Sequence, residues 1–128
     1  MSVGIKYDQS RKLLNISLSG TPDFDDISSA LEIITNSGEY PPDTKAVWDI
    51  RKADFLHANF TFVSELVKIR SRFKKRSNCR SALIVSSNVQ YGLSRMFETL
   101  SEGKIPHQLK VFRDYEEGEK WLVEQSDS

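Results

Sequence analysis

The chain predicts an α/β fold: a single mixed five-stranded sheet packed with four helices, in the order ββαβαβαβα. Three observations carry this expectation. Two early runs alternate apolar and polar residues across a polar turn, the period of a hairpin buried on one face. A later run, Ser81 to Ser86, is continuously apolar, as in strands covered on both faces of a parallel sheet. Between strands lie segments with apolar residues three and four apart, and such helices join parallel strands by right-handed crossovers.

Val3, Ile5 and Tyr7 form the first strand and Leu14, Ile16 and Leu18 the second, with Asp8-Gln9-Ser10 as the turn. Gly20-Thr21-Pro22-Asp23 starts a helix. Thr21 suits the N-cap, Pro22 the first helical position, and Asp23, Asp25 and Asp26 complement the dipole. Phe24, Ile27, Leu31 and Ile34 make its apolar stripe. Asn36-Ser37-Gly38 offers a left-handed stop before Pro41-Pro42. Lys45 to Ile50 is the third strand, followed by a helix with Phe62, Leu66, Ile69 and Phe73 on one face. After the fourth strand, Asn88 suits the cap of a helix carrying Val89, Leu93, Met96, Phe97 and Leu100, ended by Gly103. Leu109 to Phe112 is the last strand. Asp114 with Glu117 forms an acidic capping box for a final helix bearing Trp121 and Leu122, and the tail 125–128 is expected to fray. All 128 residues fit one domain.

Eighteen basic and eighteen acidic residues cancel, which argues against a dedicated nucleic-acid or membrane binder. The longest aliphatic run, Ala82 to Val85, is too short to span a bilayer, and the start lacks the pattern of a secretory signal. Cys79 is the single cysteine, so no intramolecular disulfide forms. A cytoplasmic protein is the expectation. Charge is nevertheless segregated. Residues 1–65 hold six Lys/Arg against ten Asp/Glu, residues 66–113 eleven against two, and residues 114–128 one against six.

The ordered set Leu14–Gly20, Val47-Trp48-Asp49-Ile50-Arg51, Ser81–Val85, Arg95-Met96-Phe97 and Val111-Phe112-Arg113-Asp114, with Glu116-Glu117 and Trp121-Leu122, resembles the STAS domains. Within that superfamily it is most similar to the SpoIIAA-like proteins of bacteria, over about Val3 to Val123. These are fold signatures, none of them catalytic. In the anti-sigma-factor antagonists, a kinase phosphorylates a serine that opens the helix after the Trp48-Asp49-Ile50 strand. The resemblance lays His57-Ala58-Asn59 across that position, where Ala58 has no hydroxyl, and Thr61 and Ser64 lie beyond it. It therefore implies a module without the switch residue.

No constellation supports catalysis. A receiver-like site at Asp49 would need a further acidic pair for Mg²⁺, and the hairpin ends in Ser19-Gly20-Thr21 instead. The ordinary role for Asp49 is to accept from backbone N–H groups of the next loop. His57 and His107 are fifty residues apart, and Cys79 has no companion at ligand spacing. Gly92-Leu93-Ser94-Arg95 lacks the second glycine of a nucleophile elbow. Cys79 reads as a loop thiol more readily than as a reactive one. No cofactor and no metal are expected.

Two surfaces remain. Phe55, Leu56, His57, Asn59 and Phe60, with Ser87 and Asn88 beside them, lie where strand ends open into helices, the usual crevice of an open α/β sheet. Phe62 belongs to the core stripe, and Phe55, Leu56 and Phe60 do not all fit one helical face, so part of the group is expected to line a cleft or stand exposed. Lys68 to Arg80 is strongly basic, and Arg72, Lys74, Lys75, Arg76 and Arg80 would form a patch for an anionic partner. A solvated helix face ending in dipole-complementing cations explains much of it, and its one aromatic, Phe73, belongs to the core stripe, which disfavours nucleic acid. The expected function is a non-enzymatic interaction or regulatory module that binds a protein partner or a second copy of itself. The alternative is a carrier or sensor of a small apolar ligand or lipid.

Overall fold

The computed structural model describes residues 2–36, 38–41, 44–55, 58–73, 80–104 and 108–124; the tail expected to fray lies outside them. β1 (Ser2–Asp8) and β2 (Leu13–Gly20) pair antiparallel, with Asp8 opposite Leu13. Asp8 holds their turn, its carboxylate accepting from Ser10 Oγ at 2.8 Å and Arg11 Nε at 2.7 Å. β3 (Lys45–Ala53), β4 (Arg80–Ile84) and β5 (Gln108–Phe112) then add in parallel, and the sheet order is β1-β2-β3-β4-β5. The mixed five-stranded sheet and its element order are those the sequence predicts.

Every crossover steps to the next strand in the same direction. Right-handed connections then place α1 (Phe24–Asn36), α2 (Phe60–Ser71) and α3 (Asn88–Ser101) on one face. The chain returns after β5, and α4 (Tyr115–Glu124) covers the other face. The first face buries Leu14, Ile16 and Ala46 against Leu31, Ile34 and Ile69. The second buries Leu13, Val47, Ala82 and Ile84 under Leu122. A Cβ at Gly118 would come within 2.5 Å of Ile84 Cδ1, so α4 rests on β4 at a distance that glycine permits.

Several boundaries differ from the sequence reading, each for a local reason. Asp23, not Thr21, starts α1: its Oδ1 accepts from Asp26 N, and Asp26 Oδ2 accepts from Asp23 N, both at 2.9 Å. This reciprocal box satisfies two end donors at once, which a lone threonine does not. Ser87, not Asn88, caps α3, with Oγ accepting from Gln90 N at 3.0 Å. The Asn88 carboxamide oxygen instead accepts from Arg113 Nη2 at 3.0 Å. On α3, Gln90, Ser94 and Ser101 are buried beside the expected Leu93 and Phe97, while Val89 of the expected stripe is exposed. At the far ends, Gly38 and Gly103 adopt φ of +78°, as the expected helix stops require. Asp114 caps α4, with Oδ1 accepting from Glu116 N at 2.8 Å and Glu117 N at 3.3 Å.

Candidate functional site

The segment after β3 leaves the sheet between two tethers. Asp54 N donates to Gly20 O at 2.6 Å, and Ala58 N donates to Phe55 O at 2.9 Å. Asn59 then caps α2 in an extended conformation, its Oδ1 accepting from Phe62 N at 3.0 Å. The aromatics separate into two groups here, as their spacing suggested. Phe55 packs inward with Trp48 and Tyr91 around Leu18, Ile50 and Val85. Phe60, the first residue of α2, is 58% exposed. Leu56 and His57 lie outside the described residues.

Beneath this junction, the sheet and α1–α3 line a half-open apolar cavity of about 120 Å³. Trp48, Ile50 and Leu83 form its sheet side, and Phe62, Leu93 and Phe97 its helix side. Phe55 closes on it from the β3–α2 segment, 6.2 Å from the Phe62 ring centre. Phe62 also stacks on the partly exposed Phe24 at 4.9 Å, so this ring pair runs from cavity to surface. Three lining residues are polar: Arg70, Ser81 and Ser94. Arg70 corrects the sequence reading, which placed it on a solvated basic face: it is 9% exposed, and its Nη1 donates to Phe73 O at 3.1 Å. The helical period contained this signal, because Arg70 follows Val63 and Val67 by seven and three residues.

The neighbouring junction, after β4, is held by Gln90. Its Nε2 donates to Ala53 O at 2.9 Å and Arg51 O at 3.2 Å, and its Oε1 accepts from Ser86 N at 2.8 Å. Arg113 adds a second clamp, its guanidinium 4.5 Å from the centre of the Tyr91 ring. Ser87 and Asn88, named with Phe55, Asn59 and Phe60 as one surface, thus lie at the same end of the sheet and act there as cap and clamp.

Asp49 is on the opposite face of the sheet. Its Oδ1 accepts from Arg51 N at 3.1 Å and Nε at 2.9 Å, and its Oδ2 from Arg51 Nη2 at 2.8 Å. The expectation that it serves the next loop is corrected: a residue two positions along the same strand already saturates it. Burial pushes the Asp49 carboxyl up, but the Arg51 side chain and N–H together hold it below the usual range. Arg51 also lies 5.5 Å over the Tyr115 ring, and the Tyr115 hydroxyl donates to Asn15 Oδ1.

Of the basic patch, Arg72 ends α2 exposed and Arg80 opens β4, while Lys74, Lys75, Arg76 and Cys79 lie outside the described residues. Within the helix, Lys68 pairs with Glu65 at 3.1 Å and Arg70 turns inward, so its own contribution to an exposed patch is small. Among the described residues no three His, Cys, Asp or Glu come together as a metal site, and no helix is long and apolar enough to cross a membrane.

No family model and no curated protein matches this chain. A solved structure does: an uncharacterized protein from the DUF3478 family with a SpoIIAA-like fold, from Shewanella loihica PV-4. It has a TM-score of 0.62 and 22% sequence identity, with 94% of this chain and 92% of that chain covered. The fold is SpoIIAA-like, as the ordered sequence motifs imply.

Proposed function

We propose that this protein is a non-enzymatic binding module that holds a small apolar molecule between its sheet and α1–α3. The observation that carries the reading is the cavity of about 120 Å³ lined by Trp48, Phe55, Phe62 and Phe97. Protein interiors otherwise pack to crystal-like density, and an apolar space of this order is large enough for a molecule the size of benzene. The reading is favoured over catalysis because Asp49, the one carboxylate of β3, lies on the far face of the sheet and is bonded by Arg51. It is favoured over a serine switch because Ala58 stands where the resemblance would place the acceptor.

Calorimetric titration with toluene tests it, alongside Leu93→Phe, which adds volume to the cavity wall. Saturable binding that weakens at least tenfold in the variant, with folding retained, supports the reading. Absence of binding by the natural sequence, or binding that ignores the variant, sinks it.

A second reading, docking of a protein partner or a second copy, draws on a different observation. Phe24, Phe60 and Val89 lie in the first turns of α1, α2 and α3, at one end of the sheet, and all three are exposed. Exposed apolar groups gathered at one end of a domain are a feature of recognition surfaces.

A further inference from the structure

The exposed end of the sheet carries its charges in an order that suits one particular partner. α1, α2 and α3 start there at the ends of β2, β3 and β4, and α2 lies between the other two. Phe60 therefore has Phe24 one helix spacing to one side and Val89 one spacing to the other, steps of about 8–10 Å each. The two flanks differ in sign. α1 contains no basic residue. Of the acidic residues at its start, Asp23 and Asp26 cap each other, while Asp25 is exposed and pairs with no cation among the described residues. On the α3 side Arg113 is exposed, held by the Tyr91 ring and by Asn88, and it too has no ion pair among the described residues. Asp114 beside it is taken up by the α4 cap, and the acidic first turn of α4 lies on the other face of the sheet.

We propose that this end is the contact surface of a two-fold symmetric homodimer, with Phe60 beside the axis, Phe24 of each copy against Val89 of the other, and Asp25 of each copy paired with Arg113 of the other. A two-fold contact lays one patch on itself, so the patch must be self-complementary: where one residue meets a second, that second meets the first. A surface of one sign would repel its own copy. Here an apolar centre is flanked at equal steps by an exposed carboxylate and an exposed guanidinium, and half a turn about the centre lays each charge on its opposite. Arg113 comes to the contact already placed by Tyr91 and Asn88, so it loses little freedom on taking a carboxylate, and its planar fork suits one.

This inference rests on the second reading above, that this end is a docking surface, and one set of variants separates their failures. Sedimentation velocity is run on the natural protein, on Phe60→Ser, Asp25→Arg and Arg113→Glu singly, and on an equimolar mixture of the last two. The natural protein should be a dimer that weakens as salt rises, because exposed charges are screened. Each single change should raise the dissociation constant at least tenfold with a cooperative melting transition retained. The mixture should regain the dimer, since a heterodimer of Asp25→Arg with Arg113→Glu has opposite charges at both contacts, and recovery also reports that both chains are folded. If Phe60→Ser weakens the dimer but neither reversal does, or if the mixture stays dissociated, the two-fold pairing is overturned and the docking reading stands. A dimer that ignores all three changes is built on another surface and overturns both. A natural protein that stays monomeric overturns the homodimer and leaves this surface to a different partner.

Discussion

The side-chain amide of Gln90 donates to the Ala53 carbonyl at 2.9 Å, joining the first turn of α3 to the last residue of β3 across 37 positions in sequence. The same carboxamide takes the Ser86 N–H and reaches the Arg51 carbonyl, so one buried side chain satisfies backbone groups from two strand ends. The two junctions that frame the candidate site are therefore a single rigid unit, and Phe55 is positioned by it.

Gln90→Leu should be among the most damaging single changes outside the apolar core. Leucine has a similar size but removes the partner of Ser86 N and of the Ala53 carbonyl in a buried place, while Arg51 O keeps the Ser86 hydroxyl, and each such group costs on the order of 1–3 kcal/mol. Urea unfolding should show a loss of about 3 kcal/mol. A loss under 1 kcal/mol would mean that water replaces the carboxamide without penalty.

The caps at this end are separable from the site. Asn59→Ala removes the acceptor of Phe62 N and should lower stability by about 1 kcal/mol, and Ser87→Ala should do the same at α3. Because neither side chain lines the cavity, ligand affinity measured well below the melting transition should stay within twofold for both.

How far the sequence foretold all this depends on what each residue type signals by itself. The order of the elements along the chain and every helix were legible because apolar period and glycine stops are local properties, as Leu14-Ile16-Leu18 and Gly38 illustrate. The exposed Phe60 beside the inward Phe55 was half legible, since helical phase separates Phe60 from Phe62 but cannot say where Phe55 turns. Of the polar end of the cavity, only the helical phase of Arg70 behind Val63 and Val67 was legible. Arg70 sits in a run of cations that reads as solvated, and Ser94 and Gln90 occupy α3 positions where composition alone favours Val89. Only the tertiary meeting of α2 and α3 over β4 turns those side chains inward. The same holds for Asp49, whose partner two residues away is set by the pleat and not by the loop that follows.

Asp49 gives a pH prediction with a definite sign. Its carboxyl is held below the ordinary value, near 3.9 in the unfolded chain, so ionised Asp49 stabilises the fold above that pH. The contribution is lost as pH falls through the lower folded value. Its Arg51 partner is partly exposed, which limits the pair to about 1 kcal/mol. Urea unfolding of the natural protein and Asp49→Asn should differ by about that amount at pH 6 and converge toward pH 2. A difference that widens in acid would reverse the assignment.

Phe60 and Phe62, two residues apart in the first turn of α2, should behave oppositely, and the contrast decides between the surface and the cavity. Phe60 is mostly in water, so Phe60→Ser should change stability by no more than about 0.5 kcal/mol. Phe62 touches Phe24 and Phe55 and lines the cavity, so Phe62→Ala should cost about 3 kcal/mol and enlarge the space behind it. Their effects on function should also separate. If the cavity is the working site, Phe60→Ser leaves toluene affinity within twofold. If the exposed end is the working site, Phe60→Ser abolishes self-association or partner capture at unchanged melting temperature, as read by sedimentation velocity and native mass spectrometry. Loss of toluene binding in Phe60→Ser with the fold intact would contradict the separation of the two rings, because it would place the exposed ring in the ligand's path.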